Sequence, residues 1–498
     1  MPRGEAKTRG WAALCALLVA GCGSRSSLEL FATVTDNGAG GKSSGGGGAG
    51  GSGGTIGSGG TPLSGCPGGT IDDDRNEATP CVPCAPGMFS DVEGFACYPW
   101  TECNWEFPEV APPSSSSDRV CSGPQPFRQF GTDTTDAASQ VVVDLFGNVY
   151  VAGVTLGSLD GPTNGNADAF LRKYSPQGEL IWAYQGDPEH NDSPVELVLD
   201  DVGHLHLLLS QDEQTALWMF DLEGTRLSEQ VYGAYYYDLA VDSQGVRYIA
   251  RPILAPDGAS DLELVRLGAD GTATWTFGLS GGPNDWPSAL TVAPNGDVVV
   301  CGYTDGSMFD VGSGRPEAFV ARFTGDSYLV WGVQFAASLI QSGDALWTMP
   351  TGVVVDSADN IYVAGNVQFD EYSSNDLFIT RMTGDGQYPQ NYYFGSTDYD
   401  DAQTIAIDPY DRIAVVGTTW GLLTAAANPG VEEAFIARFQ LADLSPVIQF
   451  GTTANDAAYD LAVAPDGTWF VVGSTEGSFV GSMNAGAADA YVLRVPPF

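Results

Sequence analysis

Short bursts of alternating apolar and polar residues fill most of this chain, and they recur in a fixed order. The first burst reads QVVVD and returns as ELVLD, DLAVD, ALTVA, GVVVD, TIAID and DLAVA, ending at residues 144, 200, 242, 293, 356, 408 and 464. A second follows each after a turn rich in Asp, Asn and Gly, as in NVYVAGVT (148–155), DVVVCGYT (297–304), NIYVAGNV (360–367) and TWFVVGST (468–475). The third appears as DAFLRKY (168–174), DLELVRL (261–267), EAFVARF (317–323), DLFITRM (376–382), EAFIARF (433–439) and DAYVLRV (489–495), with TALWMFD (215–221) as a degenerate version. The fourth ends in an aromatic or polar residue, usually before Gly: AYQG, QVYG, WTFG, VQFA, YYFG, IQFG. Period-2 alternation over five to eight residues between turn signals predicts β-strands. Four strands per unit and seven units, spaced about 42 to 63 residues apart, predict an all-β fold: a seven-bladed β-propeller of four-stranded antiparallel blades over 123–498.

The count of fourth strands predicts how the ring closes. Only six follow a third strand, because the chain ends at RVPPF just after the seventh. The missing one stands in front: PFRQFG (126–131) has the fourth-strand form but precedes the first blade, and QFGTDTTDAASQVVVD (129–144) is echoed by QFGTTANDAAYDLAVA (449–464). Added to the last blade, this strand would cover an edge that otherwise invites aggregation.

Loop lengths differ between the two faces of such a ring. Connections 1-to-2 and 3-to-4 are tight turns such as DLFGN, DSADN and APDGT, whereas connections 4-to-1 and 2-to-3 are long and varied, as in LTAAANPGVEE and AASLIQSGDALWTMPTG. The long set carries Tyr235, Tyr236, Tyr237, Trp286, Trp347, Tyr399 and Trp420. Loops on a rigid scaffold are where binding residues concentrate. Tyr236, Trp286, Trp347, Trp420, Asp285 and Asp401 are therefore the candidate ligand-binding face, with the tryptophans expected in loops.

An aspartate stands shortly before most first strands: Asp136, Asp192, Asp285, Asp344, Asp401 and Asp456. Such a residue can cap a turn by accepting backbone N–H bonds. A ring of carboxylates could also take a cation such as Ca2+, which makes Asp136, Asp192, Asp344 and Asp456 the candidate metal ligands. No other cofactor is indicated. The acidic residue that opens the third strand and the basic one five residues on, as in Glu317/Arg322 and Asp489/Arg494, recur in six blades and read as blade-building positions.

Before residue 123 the pattern changes. Arg3, Lys7 and Arg9 precede an apolar run, WAALCALLVAG (11–21), that is too short to span a bilayer and has the layout of an export signal, 1–21. Residues 22–65 are dominated by Gly and Ser and read as a flexible linker. Residues 66–122 hold six of the nine cysteines: Cys66, Cys81, Cys84, Cys97, Cys103 and Cys121. In an exported chain an even set so closely spaced predicts a disulfide-rich module, with fifteen pairings open; Cys81 and Cys84 also have the spacing of zinc ligands, but no second close pair follows.

Charge and motifs then limit function. The 498-residue chain has 62 acidic and 20 basic residues, a net charge of −42, which would repel a phosphate backbone, so nucleic acid is excluded as a partner. His190, His204 and His206 are the only histidines, and no H-E-x-x-H, G-x-S-x-G or phosphate-cradling glycine loop occurs. His206 falls where other blades have Tyr150, Tyr248 and Tyr362, and Cys301 where they have Ala152 and Ala364, both read as packing.

Three resemblances add to this reading. LVAGC, ending at Cys22, resembles a bacterial lipobox, which implies lipidation of Cys22 and, with Gly23 next, an outer-membrane or cell-surface location. The run CVPCAPGMFSDVEGFACYPWTEC, closing with SDRVC, resembles a tumour-necrosis-factor-receptor-type cysteine-rich repeat, which implies the pairing Cys66–Cys81, Cys84–Cys103 and Cys97–Cys121. Residues 144–153 and 168–170 resemble the SBBP-type bacterial β-propeller repeat, from which blades 2 and 3 depart at Leu208 and Arg251. The expectation is a monomeric lipoprotein whose propeller binds an extracellular glycan or protein. The alternatives are a polysaccharide-acting hydrolase or lyase and a structural envelope protein.

Overall fold

Seven four-stranded antiparallel sheets, arranged as a closed ring, form the computed structural model of the chain from residue 125 onward. The structure describes residues 128–497 except for short loop stretches, and before them the backbone of Gln125–Phe130 and of a few two- or three-residue strands between 70 and 121. The expected export signal 1–21, Cys22, the expected linker 22–65 and the six cysteine side chains of 66–122 lie outside the described residues.

Each blade is a meander whose first strand lies nearest the axis. The first strands, Asp136–Val143, Asp192–Leu199, Asp238–Val241, Asp285–Val292, Trp347–Val355, Asp400–Ile407 and Asp456–Val463, contact one another in turn around the ring. Fourth strands form the exposed rim, as Leu180–Gln185 and Arg226–Tyr232 show. The last blade takes its fourth strand from the front of the chain: Gln125–Phe130 pairs antiparallel with Asp489–Val495, Phe130 opposite Ala490 and Gln125 opposite Arg494. The predicted closure is therefore present.

Seven hydrophobic clusters hold the ring, one at each junction between blades. At the closing junction Ala138, Val141, Phe170 and Tyr174 of blade 1 pack on Phe470, Val472 and Val492 of blade 7. Phe130 stands edge-on to Phe170 with centroids 5.7 Å apart. Burial of each such ring stabilises the ring of blades by roughly 1.5–3 kcal/mol.

The departures in blades 2 and 3 have a packing cause: Leu208, in the alanine position, is buried in the cluster it shares with Ile249 and Val265 of blade 3, and the glycine position is filled differently in both blades. In five blades a second-strand glycine faces a third-strand aromatic: Gly153/Phe170, Gly302/Phe319, Gly365/Phe378, Gly417/Phe435 and Gly473/Tyr491. A Cβ on Gly302 would come within 2.7 Å of the Phe319 ring and onto the Trp286 carbonyl, so only glycine fits. In blade 2 the sizes are exchanged, Leu209 facing Ala216, and in blade 3 an ion pair, Arg251 with Glu263, fills the same place.

The tight turns between first and second strands are capped by the strand-ending aspartate. Asp356 Oδ1 accepts from Ala358 N (3.0 Å) and Asn360 N (2.7 Å), and its Oδ2 accepts from Asn360 Nδ2 (2.7 Å) and Tyr362 Oη (3.1 Å). Asp144 repeats the arrangement with Phe146, Asn148 and Tyr150. Blade 2 repeats it with histidines: Asp200 Oδ2 lies 3.2 Å from His204 Nδ1 and 2.9 Å from His206 Nε2. Both histidines are thus bound to a turn aspartate, in the places of an asparagine and a tyrosine. Burial pushes the His206 pKa down, against the pull of Asp200.

Candidate functional site

The loop face is built from buried carboxylates upward. Asp136, Asp192, Asp285, Asp400 and Asp456 each open a first strand and are fully or almost fully buried. Asp285 Oδ2 accepts from Gly281 N (2.6 Å) and its Oδ1 from Thr304 Oγ1 (2.5 Å). Asp400 takes the same bonds from Ser396 N and Thr419 Oγ1, and Asp136 and Asp456 accept from Thr132 and Thr452. These residues cap the 4-to-1 loops, as aspartate can in that position.

Register corrects two members of this series. In blade 6 Asp400, opposite Thr419, holds the buried position, and Asp401 points elsewhere, its Oδ1 accepting from Asn375 Nδ2 at 3.2 Å. In blade 5 the position belongs to Thr348, whose N donates to Pro316 O (3.0 Å) as Asp136 N does to Ala488 O (2.8 Å). Asp344 lies instead in a two-residue hairpin strand, Gly343–Asp344, and its side chain is outside the described residues. Asp192 differs in another way. Gln211 stands opposite it where other blades have threonine, both its carboxylate oxygens lack a hydrogen-bond partner within normal distance, and burial raises its pKa to about 6. Among the described residues no group of three or more His, Cys, Asp or Glu side chains is disposed to hold a metal ion.

A glutamine in the fourth strand clamps each of four long loops, a role not foreseen from sequence. Gln185 Oε1 accepts from Leu159, Asp160 and Gly161 N, while its Nε2 donates to Gly157 O (3.1 Å) and Asp168 Oδ2 (2.8 Å). Gln129, Gln334 and Gln449 make the matching bonds, Gln129 across the closing junction to Phe479, Gly477 and Asp489. The recurrent third-strand acids Asp168, Glu317 and Asp489 therefore serve the clamp. The third-strand bases serve the opposite face, as Arg322 does with Asp297 and Asp359.

The aromatic candidates divide on this scaffold. Trp286 and Trp347 sit in the first turns of first strands rather than in loops. Trp347 Nε1 donates to Gln368 Oε1 (2.9 Å), and Tyr236 is buried against Tyr232. Two pairs remain open to solvent. Tyr237, 42% exposed, meets Trp286 edge-on at 5.7 Å, and Tyr399 (54% exposed) is tied to Trp420 (42% exposed) by the Trp420 N to Tyr399 O bond of 2.8 Å.

A second group lies at the axis. A bulge in the first strand breaks its register after Ala138, Pro194 and Ala458, and the residue that resumes pairing is Gln140, Glu196 or Asp460; in blade 3 the matching residue is Asp238. Each of three caps an N–H of the next blade: Asp238 Oδ2 accepts from Leu290 N (2.5 Å), Asp460 Oδ2 from Val141 N (2.8 Å) and Gln140 Oε1 from Leu197 N (3.4 Å). Glu196, Asp238 and Asp460 act on one another, and no cation is among the groups that act on them. Burial, then mutual repulsion, raises the Glu196 pKa, and burial raises those of Asp238 and Asp460, so the trio retains protons where surface carboxylates do not. The signal was present in sequence as the one variable letter that opens QVVVD, ELVLD, DLAVD and DLAVA.

Fold and site define a β-propeller with a loop-bearing aromatic face and a set of buried carboxylates on its innermost strands. Several solved structures are similar to it at low identity. A streptogramin B lyase is 10% identical, with 74% of this chain and 97% of that chain covered and a TM-score of 0.43. The Pan2 WD40 domain of Neurospora crassa is 11% identical (72% and 89% covered, TM-score 0.42), and Drosophila Semaphorin 1b, extracellular domains 1-2, is 9% identical (75% and 87% covered, TM-score 0.42). No protein-family model and no curated protein matches the chain.

Proposed function

We propose that this is an exported lipoprotein, anchored through Cys22, whose propeller binds an extracellular glycan or protein on its loop face. The observation that carries the reading is the polarity of the closing strand. Gln125 lies opposite Arg494 at the tight-turn end, and Phe130 lies opposite Ala490 at the loop end, so everything before residue 125 leaves from the turn face. A tether running to a membrane from that side turns the loop face outward. There Tyr237, Trp286, Tyr399 and Trp420 offer ring faces for sugars or apolar groups, with carboxylates such as Asp401 beside them for hydroxyls or a bridging cation. The linker 22–65 and the module 66–122 act as reach and spacer.

The test is binding of the protein from Cys22 onward to glycan arrays and cell-wall fractions, with and without calcium. Saturable binding that Tyr399→Ala or Trp420→Ala weakens at unchanged melting temperature supports the reading; binding unaffected by any rim variant overturns it. The axial trio favours a second reading, an enzyme acting on polysaccharide, because buried carboxyls with raised pKa values can exchange protons near neutrality. Release of oligosaccharides that Glu196→Gln or Asp238→Asn abolishes would establish that activity in place of simple binding.

A further inference from the structure

At the closing junction the turn face is incomplete. In blades 1, 3 and 4 the fourth-strand residue opposite the third-strand base is Trp: Trp182 opposite Lys173, Trp275 opposite Arg266, Trp331 opposite Arg322. Trp182 Nε1 and Lys173 Nζ both donate to Leu222 O of the next blade at 2.9 Å, and Trp331 Nε1 (2.9 Å) and Arg322 (2.8 Å) do the same to Gly384 O. Blades 5 and 7 have Gln instead, Gln390 opposite Arg381 and Gln125 opposite Arg494, but Arg381 Nε donates to Tyr362 Oη (3.1 Å). The Arg494 guanidinium makes no hydrogen bond or ion pair with another described residue. In its place lies a cleft of about 210 Å³, lined by Leu145, Phe146, Pro176, Phe470 and Arg494, with Asp466 as its one acidic side chain.

Leu145 and Phe146 stand on the rim of this cleft, 88% and 81% exposed. Their turn does not demand them. The matching pairs in the other blades are Asp201-Val202, Ser243-Gln244, Pro294-Asn295, Ser357-Ala358, Pro409-Tyr410 and Pro465-Asp466, none of them two large apolar residues. Adjacent exposed Leu and Phe beside a cleft and an unpaired arginine mark a surface that something covers.

We propose that the cleft is the docking site of this chain's own residues 66–124. Three observations select that occupant. The segment joins the ring at Gln125, directly opposite Arg494, so its effective concentration at the cleft is that of a short tether. It carries Phe89, Phe95, Tyr98, Trp100, Trp105 and Phe107 within fewer than 60 residues, more aromatic surface than a piece of that size can bury within itself. It also holds ten acidic and two basic residues, complementary to Arg494, whereas a second copy of a chain with net charge −42 would be repelled. Docking fixes the cysteine-rich segment under the closing seam and makes it a rigid stalk for the ring.

Hydrogen exchange read by mass spectrometry on the full chain with cysteines oxidised tests this. Leu145→Asp/Phe146→Asp should speed exchange across residues 66–124 by about tenfold or more and leave the propeller strands protected. Val202→Asp, the matching change in blade 2, should leave exchange in both regions unchanged. Unchanged exchange in 66–124 with the propeller intact overturns the proposal. A photo-crosslinking residue at position 146 gives an independent reading: adducts mapped within 66–124 support docking, and adducts to a second chain assign the cleft to self-association and overturn it.

Discussion

On the turn face one device returns around the ring: Asp144, Asp200, Asp242, Asp356 and Asp408 each cap the turn that follows, with Gly147, Gly203 and Gly245 or, in blades 5 and 6, Asp359 and Asp411 in the left-handed region. On the loop face the supports return, in the form of Gln129, Gln185, Gln334 and Gln449 and the buried aspartates, but the exposed residues do not. Tyr237 and Trp286 occur at one junction and Tyr399 with Trp420 at another, without counterparts among the described residues of the remaining blades. Repetition thus marks what every blade needs to fold. What is left over on the loop face is free of that requirement, and residues free of it are where a specific ligand can be read.

The closing strand runs from one face to the other, so its loss is the largest expected effect. Removing residues 125–131 from the chain takes away the pairing with Asp489–Val495, the Phe130 contact with Phe170 and the Gln129 clamp on Phe479 and Gly477. The cost should exceed roughly 5 kcal/mol, with the protein melting well below the intact chain or failing to accumulate. Equal melting temperature and protease resistance with and without 125–131 would mean that the ring is held at the other six junctions alone.

The next contrast sets one aspartate against another. Asp356 is buried and satisfies four donors on the turn face, so Asp356→Ala strands them and should cost about 3 kcal/mol in urea unfolding. Asp401, with one side-chain partner on the loop face, should lose less than about 0.5 kcal/mol on the same change. Similar losses for the two would erase the distinction between the faces.

Much of this was legible in the sequence, and the misreadings share one cause. Apolar alternation identified the strands, and the echo between residues 129 and 449 identified the closure, because strand pairing and burial follow a period of two. The bulge in each first strand interrupts that period. Only the residues after it, QVVVD and its kin, read as strand, whereas the strand itself begins four residues earlier at Asp136 or Asp285. Hence Trp286 and Trp347 read as loop, Asp401 took the place of Asp400, and the axial Glu196, Asp238 and Asp460 passed as ordinary strand openings. The glutamine clamp was hidden for another reason. A side chain that binds a loop some 25 residues earlier leaves no local periodicity, only a letter repeated in AYQG, VQFA and IQFG.

A pH series separates buried from exposed carboxylates on the loop face. Burial, and then the charge of Asp400, raises Asp376 to about 7, and burial raises Asp192 and Asp400 to about 6. Between about pH 4 and these values the folded chain holds protons that the unfolded chain has released, so their contribution is full below about pH 4 and is lost as pH rises through 6 to 7. The lowered pKa of His206 acts in the opposite sense, with stability lost as pH falls below about 6.5. Three carboxylates outweigh one histidine, so the melting temperature should already be falling at about pH 5 and should continue to fall until about pH 7–8, and Asp376→Asn should raise it at pH 8 and flatten the slope. A melting temperature that climbs steadily from pH 5 to pH 8 would show these carboxylates ionised at no cost, with counter-charges that the described residues do not supply.

The smallest expected effect on stability is the most informative about function. Trp420 is 42% exposed, begins the loop after Ile413–Thr419, and is held through its backbone N–H rather than its ring. Trp420→Ala keeps that bond and removes a ring that buries little, so the change in stability should stay within about 0.5 kcal/mol, against about 3–5 kcal/mol for a core aromatic such as Trp469. Affinity for whatever glycan or wall fraction the array identifies should drop at least about tenfold, since stacking on an exposed indole is a contact made only with ligand. Thermal melts and binding isotherms of the same preparations give both numbers. A Trp420→Ala protein that melts like Trp469→Ala would place the indole among the packing residues, and one that melts and binds like the parent would move the recognition surface off this rim.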